Sequence, residues 1–87
     1  MTFNSSVNSI DAGRLSAADG LFLLVLRALD KLKPGDILHI TSTDSSTEHD
    51  LSAWARLNAH RWLGTTLQDS RWLHRIEKGS ALRILTG

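Results

Sequence analysis

Four histidines, a pair of carboxylates around a helix start, three tryptophans and a run of arginines between residues 56 and 75 are the side chains here that could do chemistry. Cysteine is absent from all 87 residues. That absence removes disulfides, cysteine-bound zinc and every thiol or persulfide mechanism. His39, His49, His60 and His74 include no pair at the close spacing of a zinc motif, and a zinc site needs three or four converging ligands. No metal and no cofactor is therefore expected, with His60 closing a helix end and His74 a partly buried ring. Asp44 and Asp50 flank Thr47, but acid–base work needs a pocket and shifted pKa values. Loop and cap duty is the better reading. No Ser-His-Asp spacing, phosphate loop or dinucleotide fingerprint is present. Trp54, Trp62 and Trp72 could stack bases, yet their places on a helix core side and on strands favour core roles. Arg56, Arg61, Arg71 and Arg75 could form a basic strip for RNA. Asp69 and Glu77 dilute it, and a net charge of +1 gives no general case for nucleic acid or an anionic membrane.

The elements that position these groups follow from periodicity. With 41% apolar and 22% charged residues, the chain has ordinary globular values and the length of one domain spanning residues 1–87. Residues 1–5 are polar and expected to be disordered, and residues 7–12 form a short first strand. Ser16 and Asp19 have the spacing of a capping box ahead of a helix over residues 17–32, whose core face reads Leu21, Leu24, Val25, Ala28, Leu29 and Leu32. Pro34-Gly35 ends it. Residues 36–42 form a buried strand, and Thr47 with Asp50 repeats the capping spacing before a second helix carrying Leu51, Trp54, Ala55 and Leu57, which stops near residue 59. Residues 60–67 and 71–78 pair as a hairpin through Gln68-Asp69-Ser70. Residues 80–87 are a tail, with room for one extra strand. The order βαβαββ implies an α/β (α+β) two-layer sandwich, two helices on one face of a mixed four-stranded sheet. No apolar run is long enough to span a bilayer, and the first residues lack a secretory pattern, so a cytoplasmic location is expected.

Leu29, Leu32, Pro34-Gly35-Asp36, Leu38 and Ile40, then Asp50-Leu51, Trp54, Ala59-His60, Trp72, Ile76 and Lys78-Gly79, share a joint spacing with the small sulfur carriers of the TusA/SirA family. The chain resembles that family over residues 18–79. The resemblance implies a TusA-like sandwich whose carriers work through Cys-Pro-x-Pro at the start of the first helix. Counting back from Pro34 puts that motif on Ala18-Asp19-Gly20-Leu21, where none of its residues stands. The family cysteine position is thus Ala18, and alanine cannot hold sulfur. The family usually has Gly-His at Ala59-His60 and an aromatic residue at His74. Its first strand fits Ile10-Asp11-Ala12 after a one-residue offset.

What the resemblance leaves is a docking surface. Family carriers present the helix-one N-terminus to successive partners, which here implies Ala18, Asp19, Phe22, Leu23 and Leu26. A helical wheel puts Phe22 and Leu26 on the flank of the core face and Leu23 nearly opposite it, more apolar surface than a two-layer sandwich needs. The competing reading packs that flank against Leu82 or Ile84 of the tail. Asp19 could present a fixed negative charge in place of a persulfide, or could simply cap the helix. The expected function is a cysteine-less, non-catalytic protein-binding, regulatory or scaffold module, with a protein partner or a homo-oligomer on the helix-one patch. The alternatives are RNA binding through the arginines and a sulfur-pathway role by another route.

Overall fold

The computed structural model describes residues 8–80. Its elements are β1 (Asn8–Gly13), a 3-10 turn (Ala17–Asp19), α1 (Leu21–Asp30), β2 (Ile37–Ser42), α2 (Thr47–Leu57), β3 (Arg61–Gln68) and β4 (Arg71–Glu77). The sheet order is β1-β2-β4-β3, with β1 parallel to β2 and the other neighbours antiparallel. This is the expected βαβαββ sandwich. The register of β1 shifts between Asp11 and Gly13, a bulge at the end of the strand. The tail residues 81–87, with Leu82 and Ile84, and residues 1–7 lie outside the described residues.

Both helices cover one face of the sheet. Leu21, Val25 and Leu29 of α1 and Thr47, Leu51 and Ala55 of α2 are buried at helical spacing, over Ala12, Leu38, Ile40 and Ile76 of the strands. Each fully buried leucine contributes roughly 2 kcal/mol of transfer free energy. Leu24, Ala28 and Leu32 pack partly against this core. Leu57 does not belong to it: the side chain is 84% exposed, because position 57 lies about 120° of wheel away from Leu51. The hairpin turn is two residues, Asp69-Ser70, both at positive φ (50° and 68°), the backbone of a type I′ turn.

Helix one is not continuous from residue 17. Gly20 takes φ 105°, ends the 3-10 turn and starts α1 at Leu21. The capping box does not form. The Ser16 hydroxyl donates to the Asp19 carboxylate at 2.8 Å, so neither side chain reaches the helix amides. At α2 the expected Thr47/Asp50 box is likewise replaced. Thr47 is a buried helical residue, and Asp44 accepts the Ser46 backbone N–H and hydroxyl, each at 2.9 Å. Those two donors, the backbone one first, hold the Asp44 carboxyl below its ordinary pKa.

At the other end of the helices one set of contacts ties three loops together. The Gly35 N–H donates to the Lys78 carbonyl and the Lys78 N–H to the Asp36 carbonyl, both at 2.8 Å. The Lys78 ammonium donates to the Leu32 carbonyl at 2.7 Å, and the Gly79 N–H donates to His60 Nδ1 at 3.0 Å. His60 closes α2 through its backbone: its N–H bonds the Ala55 carbonyl at 2.9 Å while the Ala59 N–H bonds that of Arg56 at 3.3 Å. This paired pattern is a Schellman motif, and it puts Ala59 at φ 62° in the left-handed region. Glycine adopts that conformation without strain, whereas an L side chain costs roughly 1–2 kcal/mol there. Ala59→Gly is therefore expected to raise stability by about 0.5–1 kcal/mol after the larger entropy of the glycine unfolded chain is subtracted, read as a rise in urea midpoint at unchanged m-value.

Candidate functional site

The residues expected to meet a partner fall into two groups. Ala18 and Asp19 are exposed in the 3-10 turn, ahead of Gly20 and outside α1. The first turn of α1 contains no acidic residue. Asp19 thus stands before the helix and bonds Ser16, rather than sitting among the amides at the helix start. The helix field falls off within one turn, so its effect on residue 18 is weak.

Phe22, Leu23 and Leu26 form the second group, and the structure divides them further. Phe22 is half-buried and stacks on Trp54, with ring centroids 6.0 Å apart and planes 14° apart. Trp54 in turn stacks on His60 at 5.6 Å and 25°. The three rings make a column that fixes α1 beside α2, so Phe22 is chiefly an inter-helix contact. Leu26 lines a cleft of about 220 Å³ with Asn58, His60 and Lys78. The pairs Phe22 with Trp54 and Leu26 with Asn58 share one offset along the chain, as two helices lying side by side in parallel require. Leu23 is 51% and Leu26 42% exposed. Leu57 extends the apolar surface onto α2, on the side of the wheel that faces α1. Sequence reading had placed Leu57 on the second helix without giving it a face. Its position on the wheel, away from Leu51 and Ala55, was the signal available.

His74 is more buried than expected. Its ring is fully enclosed, with Nε2 2.9 Å from the Ser42 hydroxyl and Nδ1 2.8 Å from that of Thr65. Trp62 tilts against it at 6.0 Å. Burial pushes the His74 pKa below its ordinary value, and the Glu48 carboxylate opposes that shift. A Ser–His contact that no solvent reaches is structural, since a substrate could not approach it.

Arg61, Arg71 and Arg75 lie along one face of the hairpin with Glu77 among them. Arg61 pairs with Glu77 at one end of the hairpin and Arg71 with Gln68 at the other, roughly 20 Å apart. Arg71 also meets Asp11 at 3.4 Å, where the Gly13 N–H first and the Thr41 hydroxyl next hold that carboxyl below its ordinary pKa. Arg56 is on α2, in the other layer. Among the described residues, no three metal-ligating side chains cluster and no helix is long and apolar enough to cross a membrane.

Residues 20–78 match the family described as Sulfurtransferase TusA. The chain is also 36% identical over 53 residues to the Bacillus subtilis (strain 168) protein named "Putative sulfur carrier protein YrkF", covering 61% of this chain and 29% of that relative. It thus spans under a third of the relative's length. The family match starts just after Ala18 and Asp19.

The geometry of the turn yields a test. A thiol introduced by Ala18→Cys is expected to titrate at or above about 8.5, the ordinary cysteine value, because it lies outside α1 and beside the Asp19 carboxylate. The pH dependence of its alkylation rate checks this, and a strongly depressed value would show that the helix start still acts on position 18.

Proposed function

Because the chain belongs to the TusA sulfurtransferase family, we propose that it is a non-catalytic member, a protein-binding or regulatory module that keeps the carrier scaffold without the carried sulfur. The chemistry supports the second half. A persulfide needs a thiol, and the chain has none.

The observation that carries the first half is the pair Leu23 and Leu26, 51% and 42% exposed on the helix that follows the turn holding Ala18. Water around two neighbouring leucines is unfavourable by roughly 25 cal/mol per Å² of apolar surface, so a partner that covers them gains affinity. Ala18 and Asp19 border this surface and Phe22 supports it from beneath through Trp54. Asp19 contributes a fixed charge at its edge. The partner is a protein, either from a sulfur-relay system or a second copy of the chain, and a cytoplasmic setting belongs to the same reading. Glu77 among the hairpin arginines and the place of Arg56 on α2 weigh against RNA.

Leu23→Ser with Leu26→Ser is expected to weaken the interaction tenfold or more while changing stability by under about 1 kcal/mol, since both side chains are largely exposed. Sedimentation velocity over a wide concentration range reads self-association. Capture from the native host with both variants, with the retained protein identified and its affinity measured, reads a partner. Phe22 is left intact because its loss would disturb Trp54. A protein that stays monomeric and captures the same proteins with and without the two leucines would refute the docking surface. Asp19→Asn separates charge from shape: equal affinity in that variant would remove the persulfide-mimic role alone.

A further inference from the structure

His74 stands in the middle of β4, in the sheet's interior, yet it is the one fully buried titratable ring among the described residues. Its two nitrogens are engaged by hydroxyls from the two neighbouring strands, Ser42 of β2 and Thr65 of β3. A neutral imidazole suits this arrangement, with one nitrogen donating and the other accepting. An imidazolium does not. Both nitrogens would then donate, both hydroxyls would have to accept, and each hydroxyl proton would need another acceptor. Ser42 has one at 3.4 Å, the Asp44 carbonyl, and among the described residues no second acceptor is placed for Thr65.

Charged groups around the ring are few. From α2, Glu48 acts on it across the start of the helix, and its negative charge favours the charged ring. From β2 the facing group is Ser42, with His39 at an alternate position that points to the other face of the sheet. From β3 it is Thr65, with Arg61 at the far end of the strand. On β4 itself, Arg71, Arg75 and Glu77 alternate onto the opposite face. Glu48 is exposed, so water screens its help.

We propose that His74 is an acid-sensitive latch that holds β3, and with it the α2 helix packed on β3, to the rest of the sheet, the neutral ring closing it and protonation releasing them while β1 and α1 stay in place. The closed state excludes the proton, and an opened state takes it up at the ordinary histidine value near 6.5. The direction follows from linkage. A group whose pKa is depressed in the closed state favours opening as pH falls through its ordinary value, and does nothing above it. Release of α2 also separates Trp54 from Phe22, so the latch bears on the Leu23/Leu26 surface, although it stands whether or not that surface binds a partner.

Amide hydrogen exchange of the folded protein between pH 7.5 and 5.5, corrected for intrinsic rates, tests the latch. Protection of α2 and β3 is expected to fall about tenfold over that interval, one proton's worth of linkage, while α1 keeps its protection within about twofold. His74→Phe, which fits the ring position without a titrating group, is expected to abolish the pH dependence. Glu48→Gln removes the charge that stabilises the protonated ring in the closed state and is expected to enlarge the acid-driven loss of protection. Equal losses in α1 and α2, or an undiminished pH dependence in His74→Phe, overturn the latch. If His74→Phe does not fold, Glu48→Gln decides, and an acid-driven loss of protection no larger than that of the unaltered protein overturns the latch.

Discussion

The tie at the C-terminal ends of the two helices, centred on Lys78, is the constraint on which the rest of the arrangement depends. A helix leaves its last carbonyls without intrahelical partners and carries partial negative charge there. The Lys78 ammonium meets that end of α1 through the Leu32 carbonyl. Its backbone clasps the Gly35–Asp36 turn, and the next residue binds His60 at the end of α2. Both helices, the crossover turn and the central strand β4 are thus joined within a few residues. Once that end is fixed, the Phe22, Trp54 and His60 rings set how α1 and α2 lie against each other.

This tie also explains what the family resemblance consists of. Pro34-Gly35-Asp36, Ala59-His60 and Lys78-Gly79 are distant in sequence but touch in the fold. Gly35 is at φ 95°, where a side chain is disfavoured, and Ala59 tolerates the same region at a cost. Ala18 and Asp19 lie at the opposite ends of the helices, in a turn that none of these contacts reaches. Loss of the reactive motif therefore left the supporting contacts untouched. A scaffold and its chemistry occupy separate ends of one small domain.

Periodicity and turn residues made the architecture legible. The helical spacing of Leu21, Val25 and Leu29, the Pro34-Gly35 stop and the short hairpin turn all act locally, so the elements, their order and the layer arrangement could be read directly. What could not be read depends on partners far along the chain or on one backbone angle. Ser16 and Asp19 have capping spacing but bond each other, because Gly20 turns the chain before the helix begins. The depth of His74 follows from hydroxyls at positions 42 and 65, which no pattern around residue 74 reveals. The exposure of Leu57 was readable from its wheel position. Of the docking residues, exposure of Leu23 and Leu26 was legible, while the role of Phe22 depended on a ring thirty-two positions away.

The strand order carries a consequence for how the molecule is made. β4 is the last strand among the described residues but lies inside the sheet, between β2 and β3. During synthesis the earlier strands β2 and β3 have no direct neighbour in each other, and β1 with β2 forms only a two-stranded parallel pair, which is marginal by itself. Consolidation of the sheet thus waits for residues 71–77 to leave the ribosome, so nascent chains up to the hairpin turn carry exposed edges until the central strand arrives.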